Sequence, residues 1–167
     1  MSMSKALSNY RKLSVEQWHA MAVDGVRIPV SILIAGDSMR PLIRRDMDKV
    51  TIMPVEHEPK VGEIVLFPSL YLHEKETYVI HRIYRKQGQQ VQTMGDNCRR
   101  PDRWMAMSQI WGVVVKIERG SRTINPNKKN WYFFGRCWMF LFPLRRVVSR
   151  IRRLCHSICA SAEKQPV

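Results

Sequence analysis

The chain has 167 residues, of which 45% are apolar, and a formal net charge of +14. It is long enough for one domain with a tail and too apolar to be disordered throughout. The charge is concentrated in residues 119–167, which hold eleven Lys or Arg and one acid, Glu163. This imbalance indicates an anionic partner, either nucleic acid or an acidic lipid surface.

The first 25 residues predict one short N-terminal helix. Ser14 can cap this helix, Gln17 completes a capping box, and Gly25 can end it. The segment has neither the apolar core of a secretory signal nor the ~20 apolar residues of a membrane helix, so we expect no anchor at this end. One short helix is also too little for a helix-turn-helix DNA-binding module.

Residues 26–120 predict a β domain. Short runs rich in Val, Ile, Tyr and Trp are separated by Gly, Pro and Asp, as in strands joined by tight turns. The predicted strands are 26–35, 49–55, 63–68, 77–85, 89–95 and 110–118. The expected fold is mostly β, a coiled antiparallel sheet or small barrel with a short N-terminal helix and a C-terminal amphipathic helix.

Residues 121–167 form a basic, apolar and aromatic tail. Its apolar run, 131–144, would be ~21 Å long as a helix, short of the ~30 Å hydrocarbon core of a bilayer. Residues 144–160 predict an amphipathic helix with an apolar stripe and several arginines. We expect peripheral attachment to an anionic membrane through this tail, on the cytoplasmic side. The alternatives are packing of the aromatics on the β domain and, least favoured, nucleic-acid binding.

The four cysteines form no C-x-x-C pair and have no zinc-like spacing. We therefore expect free thiols in a reducing compartment, and neither a metal nor another cofactor. Cys98 stands out because it lies within the segment GDNCRRPD (95–102), which also supplies two candidate acids.

A serine, a histidine and an acid in three separate segments form the candidate catalytic group. Ser38 stands in GDSMRP (36–41), at the end of an apolar strand, and His81 lies in a later strand. Asp96 and Asp102 are the candidate acids. A serine nucleophile needs a base, and the base needs an orienting group that meets it in space. Taken singly, each residue is better explained as a turn former or a packed side chain, so the hypothesis depends on their order.

That order resembles the signal peptidase I clan of serine endopeptidases, which includes the self-cleaving LexA-type repressors. The similar segments are GDSMRP (36–41), VGEIVLF (61–67), HRI (81–83), GDNCRRPD (95–102) and SQIWGVVV (108–115). The resemblance covers about residues 28–118. Most bacterial members have a lysine where this chain has His81, and a histidine base is similar to the ER-type branch.

The resemblance implies a role for each candidate residue. Ser38 would be the nucleophile, His81 the general base and Asp102 the group that orients His81, with Asp96 as a supporting acid; which acid orients the ring stays open. Activity would then rise through the histidine range, at about pH 6 to 7.

The resemblance also implies a substrate and a way of binding it. The substrate would be a precursor protein or signal peptide, bound as an added strand with small residues before the cleaved bond. The residues expected to bind it are Gly36, Met39, Pro41 and Val79, with Ile34 in the pocket wall. Gly36 stands where some relatives place a hydroxyl residue that donates to the oxyanion.

Two other functions compete with this interpretation. A LexA-type regulator that cuts itself would need an Ala-Gly or Cys-Gly site between a DNA-binding domain and the peptidase domain. The dipeptide Ala35-Gly36 does precede Ser38, but it belongs to the nucleophile segment, and no DNA-binding domain is expected in the residues before it. A non-catalytic protein that binds peptide or membrane on the same fold would not need Ser38, His81 and Asp102 together. The physiological substrate and the oligomeric state do not follow from the sequence.

Overall fold

The computed structural model describes residues 14–69 and 78–141. Within these ranges the chain is mostly β, with an antiparallel sheet curled into a half-barrel and one helix at each end, as predicted. The amphipathic helix predicted over 144–160 lies outside the described residues.

Helix α1 precedes the sheet and helix α2 follows it. The helices are α1 (Val15–Val23) and α2 (Lys129–Phe140), with a short 3-10 helix at Met107–Gln109. The strands are β1 (Val30–Leu33), β2 (Asp48–Pro54), β3 (Ile64–Pro68), β4 (Tyr78–Gln87), β5 (Gln90–Met94), β6 (Trp104–Ala106), β7 (Gly112–Arg119) and β8 (Arg122–Ile124).

All the strand pairs are antiparallel, and their order is β1-β2-β7-β3-β4-β5-β6, with β8 on β7. Each of the six predicted strands overlaps an observed one. The sequence did not predict β6 and β8, which have three residues each. Because β8 pairs with β7, the sheet continues beyond Gly120, where the predicted β domain ends.

Helix α1 begins and ends as its residues predict, and Trp18 anchors it to the sheet. The Ser14 hydroxyl accepts a hydrogen bond from the Gln17 amide at 3.2 Å, and the Gln17 side chain accepts one from the Ser14 amide at 3.0 Å. This capping box is therefore confirmed. Gly25 ends the segment with φ +88°. Trp18 buries its ring in the core and donates from Nε1 to the Ile28 carbonyl at 2.8 Å, which fixes the helix to the sheet.

Strand β3 is buried on both faces. Ile64 and Leu66 belong to one hydrophobic cluster, whereas Val65 and Phe67 belong to a second cluster on the other face. Such alternation is what a central strand with two covered faces requires. Because β4 pairs with β3 at Val65 and His81, the buried centre of the sheet sets the position of His81.

One face of α2 packs on the sheet. The Tyr132 hydroxyl donates to the Val61 carbonyl, and the Trp138 indole donates to the Asp96 carbonyl at 2.8 Å. Gly135 lies so close to Arg82 that an added Cβ would stand 2.5 Å from Nη1. This part of the apolar run therefore packs on the β domain, one of the alternatives that its sequence leaves open.

The opposite face of α2 presents aromatic side chains to the surface. Phe133 is 67% exposed and Phe140 is 85% exposed. These two residues are seven positions apart and so lie on one side of the helix. Among residues 14–69 and 78–141, no helix combines the length and apolarity needed to cross a membrane.

Candidate active site

Ser38 and His81 line one cleft. The cavity has a volume of about 360 Å³. One wall is formed by β1 and the turn that follows it, and the other by the first half of β4. Strand β1 is the last strand at its end of the described sheet, and its residues Ile32 and Leu33 line the cleft. The cleft is lined by Ile32, Leu33, Ile34, Ala35, Gly36, Ser38, Met39, Ile43, Leu66, Tyr78, Val79, Ile80 and His81.

His81 is held by a carboxylate. Its Nδ1 lies 2.6 Å from Oδ2 of Asp102, and the residue is only 7% exposed. Asp102 is fixed in turn by Thr93, whose hydroxyl donates to Oδ2 at 2.7 Å and whose carbonyl accepts from the Asp102 amide at 2.8 Å. A carboxylate on Nδ1 selects the tautomer that carries its proton there, which leaves Nε2 able to accept a proton.

Three influences set the protonation of His81. Burial by itself lowers the pKa of the imidazole, because it disfavours the charged ring. The hydrogen bond and the negative charge of Asp102 raise the pKa, and so does the neighbouring Cys98, with the result that the pKa of His81 is raised to about 9. The ring is thus mostly protonated at neutral pH, and the neutral form that can act as a base appears well above the expected pH 6 to 7.

The turn that carries Ser38 is bound to the loop after β5. The Asn97 amide donates to the Ser38 carbonyl at 2.7 Å, and the Asn97 side chain donates to the Asp37 carbonyl at 3.2 Å. Gly95 lies between the two catalytic candidates, since an added Cβ would stand 2.6 Å from the Ser38 carbonyl oxygen and 2.9 Å from His81 Nε2. The close approach of these elements therefore requires glycine at this position.

The Ser38 hydroxyl itself is not hydrogen-bonded to the His81 ring. Within the described part of the chain, the group in reach of Nε2 is Sγ of Cys98, at 4.0 Å. Nucleophile–base hydrogen bonds are often long without substrate and tighten when it binds, so the shared cleft is compatible with a Ser–His pair.

Asp96 binds Arg82 and not His81. It forms a bidentate pair with Arg82, at 2.9 Å from Nε and 2.7 Å from Nη2, and the two side chains are 2% and 0% exposed. Arg82 also donates to the Gly62 carbonyl at 2.8 Å. Of the two candidate acids, Asp102 therefore contacts His81, while Asp96 supports the loop. Arg82 was not predicted as a partner of Asp96, although its place directly after His81 puts it on the opposite face of β4.

Three of the four residues expected to bind substrate line the cleft: Gly36, Met39 and Val79. Pro41 does not, because it lies on the side of the turn next to α2, whereas its neighbours Met39 and Ile43 line the cleft. Pro41 lines a separate cavity of about 420 Å³, next to α2. Tyr78 was not predicted either; it lines the cleft, and its buried hydroxyl has no hydrogen-bond partner among the residues that the structure describes.

Comparisons with known proteins add no identification. No protein-family model matches the sequence, and no curated protein matches it significantly. Among the residues that the structure describes, no group of three or more His, Cys, Asp or Glu side chains could hold a metal ion. Function must accordingly be argued from the chemistry of the cleft.

Proposed function

We propose that this protein is a serine endopeptidase of the signal peptidase type, with Ser38 as nucleophile, His81 as general base and Asp102 as the group that orients the base. One observation carries the proposal. The buried His81 ring is hydrogen-bonded through Nδ1 to Asp102 at 2.6 Å, and it lines the same cleft as Ser38. A carboxylate-oriented imidazole beside a serine is the arrangement that activates a hydroxyl for attack on a carbonyl.

The reaction follows from the positions of these groups. Ser38 Oγ attacks the carbonyl carbon of the peptide bond, and its proton passes to Nε2 of His81. The imidazolium, stabilised by Asp102, then gives that proton to the departing amine, which leaves an acyl-enzyme that water hydrolyses with His81 again as base. The Ser38 amide is the candidate donor to the oxyanion, and Gly36 has no hydroxyl with which to add a second bond.

The proposed substrate is an extended segment of a precursor protein or signal peptide. Such a segment would lie beside the outer edge of β1, where main-chain hydrogen bonds can add a strand to the sheet. The cleft walls near Ser38 are mostly aliphatic, from residues such as Ile32, Ile34 and Val79. Walls of this kind favour small apolar side chains on the substrate and disfavour charged ones.

Ser38→Ala tests the proposal directly. We expect the variant to lose cleavage of a soluble peptide while keeping its thermal midpoint, because the hydroxyl makes no hydrogen bond within the described residues. Ser31→Ala is a matched control, since Ser31 stands on β1 and its hydroxyl is 3.1 Å from that of Thr51. Cleavage by Ser38→Ala at the rate of the Ser31 control would refute the mechanism. Cleavage confined to the protein's own chain would instead favour a self-cleaving regulator.

We propose further that the protein is attached peripherally to an anionic membrane surface, on the cytoplasmic side. The exposed Phe133 and Phe140 on α2 support this, together with the basic residues of the tail. Apolar burial in the interface and attraction of about 1 kcal/mol per basic residue near the surface would act together.

Vesicle co-sedimentation tests the attachment. The full chain should sediment with anionic vesicles at low salt and less so at high salt, because salt screens exposed charges. Phe133→Ser/Phe140→Ser should bind more weakly while staying folded. A truncation after Gly120 is a poorer test, since it would remove β8 and the contacts of α2. A folded full-length chain that ignores anionic vesicles at low salt would contradict attachment.

A further inference from the structure

Cys98 occupies a position that the proposed mechanism does not use. Its Sγ lies 4.0 Å from Nε2 of His81, the nitrogen that would accept the Ser38 proton. The same ring is held through Nδ1 by Asp102 at 2.6 Å. Cys98, His81 and Asp102 therefore stand in the order of a thiol, a base and an orienting acid, an arrangement that makes a thiol nucleophilic.

The loop after β5 fixes this thiol beside His81, which lines the cleft. The Cys98 amide donates to the Gly95 carbonyl at 2.9 Å, which closes a tight turn. An added Cβ on Gly95 would be 2.7 Å from Cys98 Sγ and 2.9 Å from His81 Nε2, so both groups converge on one point. Cys98 is also partly exposed, so we expect a small reagent to reach its side chain.

We propose that Cys98 is a reactive thiol and a modification site for small disulfides and electrophiles, and that a group attached there blocks the cleft. With glutathione disulfide, Cys98 reacts as the thiolate beside the protonated His81 ring, and Sγ attacks one sulfur of the disulfide. A new S–S bond forms, the old one breaks, and the departing thiolate takes the proton from His81. A small thiol reverses the exchange by the same steps.

The consequence for cleavage rests on the proposed peptidase function. A group attached to Sγ would lie against Nε2, the atom that must receive the Ser38 proton. It would also crowd the turn that carries Ser38. The Asn97 amide holds this turn in place by a hydrogen bond to the Ser38 carbonyl at 2.7 Å. Modification would therefore remove both the base and the geometry of the nucleophile.

The reactivity is tested without any peptidase assay. Iodoacetamide is added to the folded protein at pH 7, and the alkylation of each cysteine is followed by peptide mass spectrometry. Cys137, which is partly exposed on α2, is the internal control. We expect Cys98 to react at least ~10-fold faster than Cys137, and His81→Asn to remove this advantage. Asp102→Asn is a second variant in case His81→Asn does not fold. Equal rates for the two cysteines, or a fast Cys98 in folded His81 or Asp102 variants, would overturn the proposal.

The block is tested with glutathione disulfide. Wild-type cleavage should be lost on treatment and restored by dithiothreitol, whereas Cys98→Ala should still cleave and resist the treatment. If glutathione disulfide inhibits Cys98→Ala as strongly as it inhibits the wild type, modification of Cys98 does not block cleavage. If wild type cleaves no peptide at all, the peptidase proposal fails, while the alkylation rates still decide whether Cys98 is reactive.

Discussion

His81 and Arg82 are consecutive residues of β4, and each binds a carboxylate from the segment that follows β5. The two pairs differ in whether they leave a side-chain nitrogen of the basic residue available at the cleft. The Arg82–Asp96 pair is bidentate, with side chains 0% and 2% exposed, and Arg82 uses a further nitrogen on the Gly62 carbonyl. The His81–Asp102 pair uses only Nδ1 and leaves Nε2 at the cleft.

The alternation of a β-strand explains the difference. Side chains of neighbouring residues point to opposite faces, so Arg82 is directed under α2 and His81 toward Ser38. A buried charge pair with its hydrogen bonds made is suited to holding a structure, whereas a ring with one uncommitted nitrogen is suited to moving a proton. The comparison predicts that one pair mainly affects stability and the other mainly affects catalysis.

The largest expected effect is on catalysis, in Asp102→Asn. An amide in place of the carboxylate no longer selects the useful tautomer or stabilises the imidazolium, so we expect kcat to fall by about 10³ to 10⁴-fold. The thermal midpoint should change little in comparison. Peptide cleavage by the purified variant, beside a thermal melt, checks both statements. A loss of less than tenfold would assign Asp102 to the fold and not to the reaction.

Asp96→Asn should show the reverse pattern. Removing one partner of a buried ion pair leaves the other charge uncompensated, so we expect a loss of about 3–5 kcal/mol in the free energy of unfolding. Denaturant unfolding measures this loss. Replacing both partners, as Arg82→Met/Asp96→Leu, should recover part of the stability, though not the bond to the Gly62 carbonyl. Unchanged stability in Asp96→Asn would show that the buried pair does not support the fold.

Much of the fold follows from sequence patterns, and the exceptions are short. Helix α1 could be predicted because Ser14 and Gln17 form a capping box, and β2 or β7 because each is long enough to show its apolar pattern. Strands β6 and β8 have three residues each, too few for alternation to be recognised. They form because each pairs with the edge of a neighbouring strand, β6 with β5 and β8 with β7. This pairing depends on the folded sheet and not on a local sequence pattern.

The site divides in a similar way. Ser38, His81 and Asp102 could be proposed from the order of segments, but no spacing reveals that Arg82 takes Asp96 or that Pro41 turns away from the cleft. The position of Cys98 at Nε2 depends on a turn of the loop and on the absence of a side chain at Gly95. Likewise, the pKa of His81 depends on distances to Asp102 and Cys98 that only the folded chain defines.

The smallest of the three effects concerns pH, and it distinguishes the two pairs without unfolding either. Protonated His81 cannot accept the Ser38 proton, so kcat/KM should fall as pH drops through the pKa of the ring, which is raised to about 9. At pH 7, about two units lower, kcat/KM should be roughly 1% of its plateau.

Asp102→Asn and Cys98→Ala each remove a group that raises this pKa, so the rising part of their pH profiles should move to lower pH. Asp96→Asn should keep the wild-type midpoint. A wild-type midpoint at pH 6 to 7 would mean that the two contacts do not hold the proton on His81 in solution. An unmoved midpoint in Cys98→Ala would show that the thiol does not raise the pKa of His81 and would leave Asp102 as the group that does.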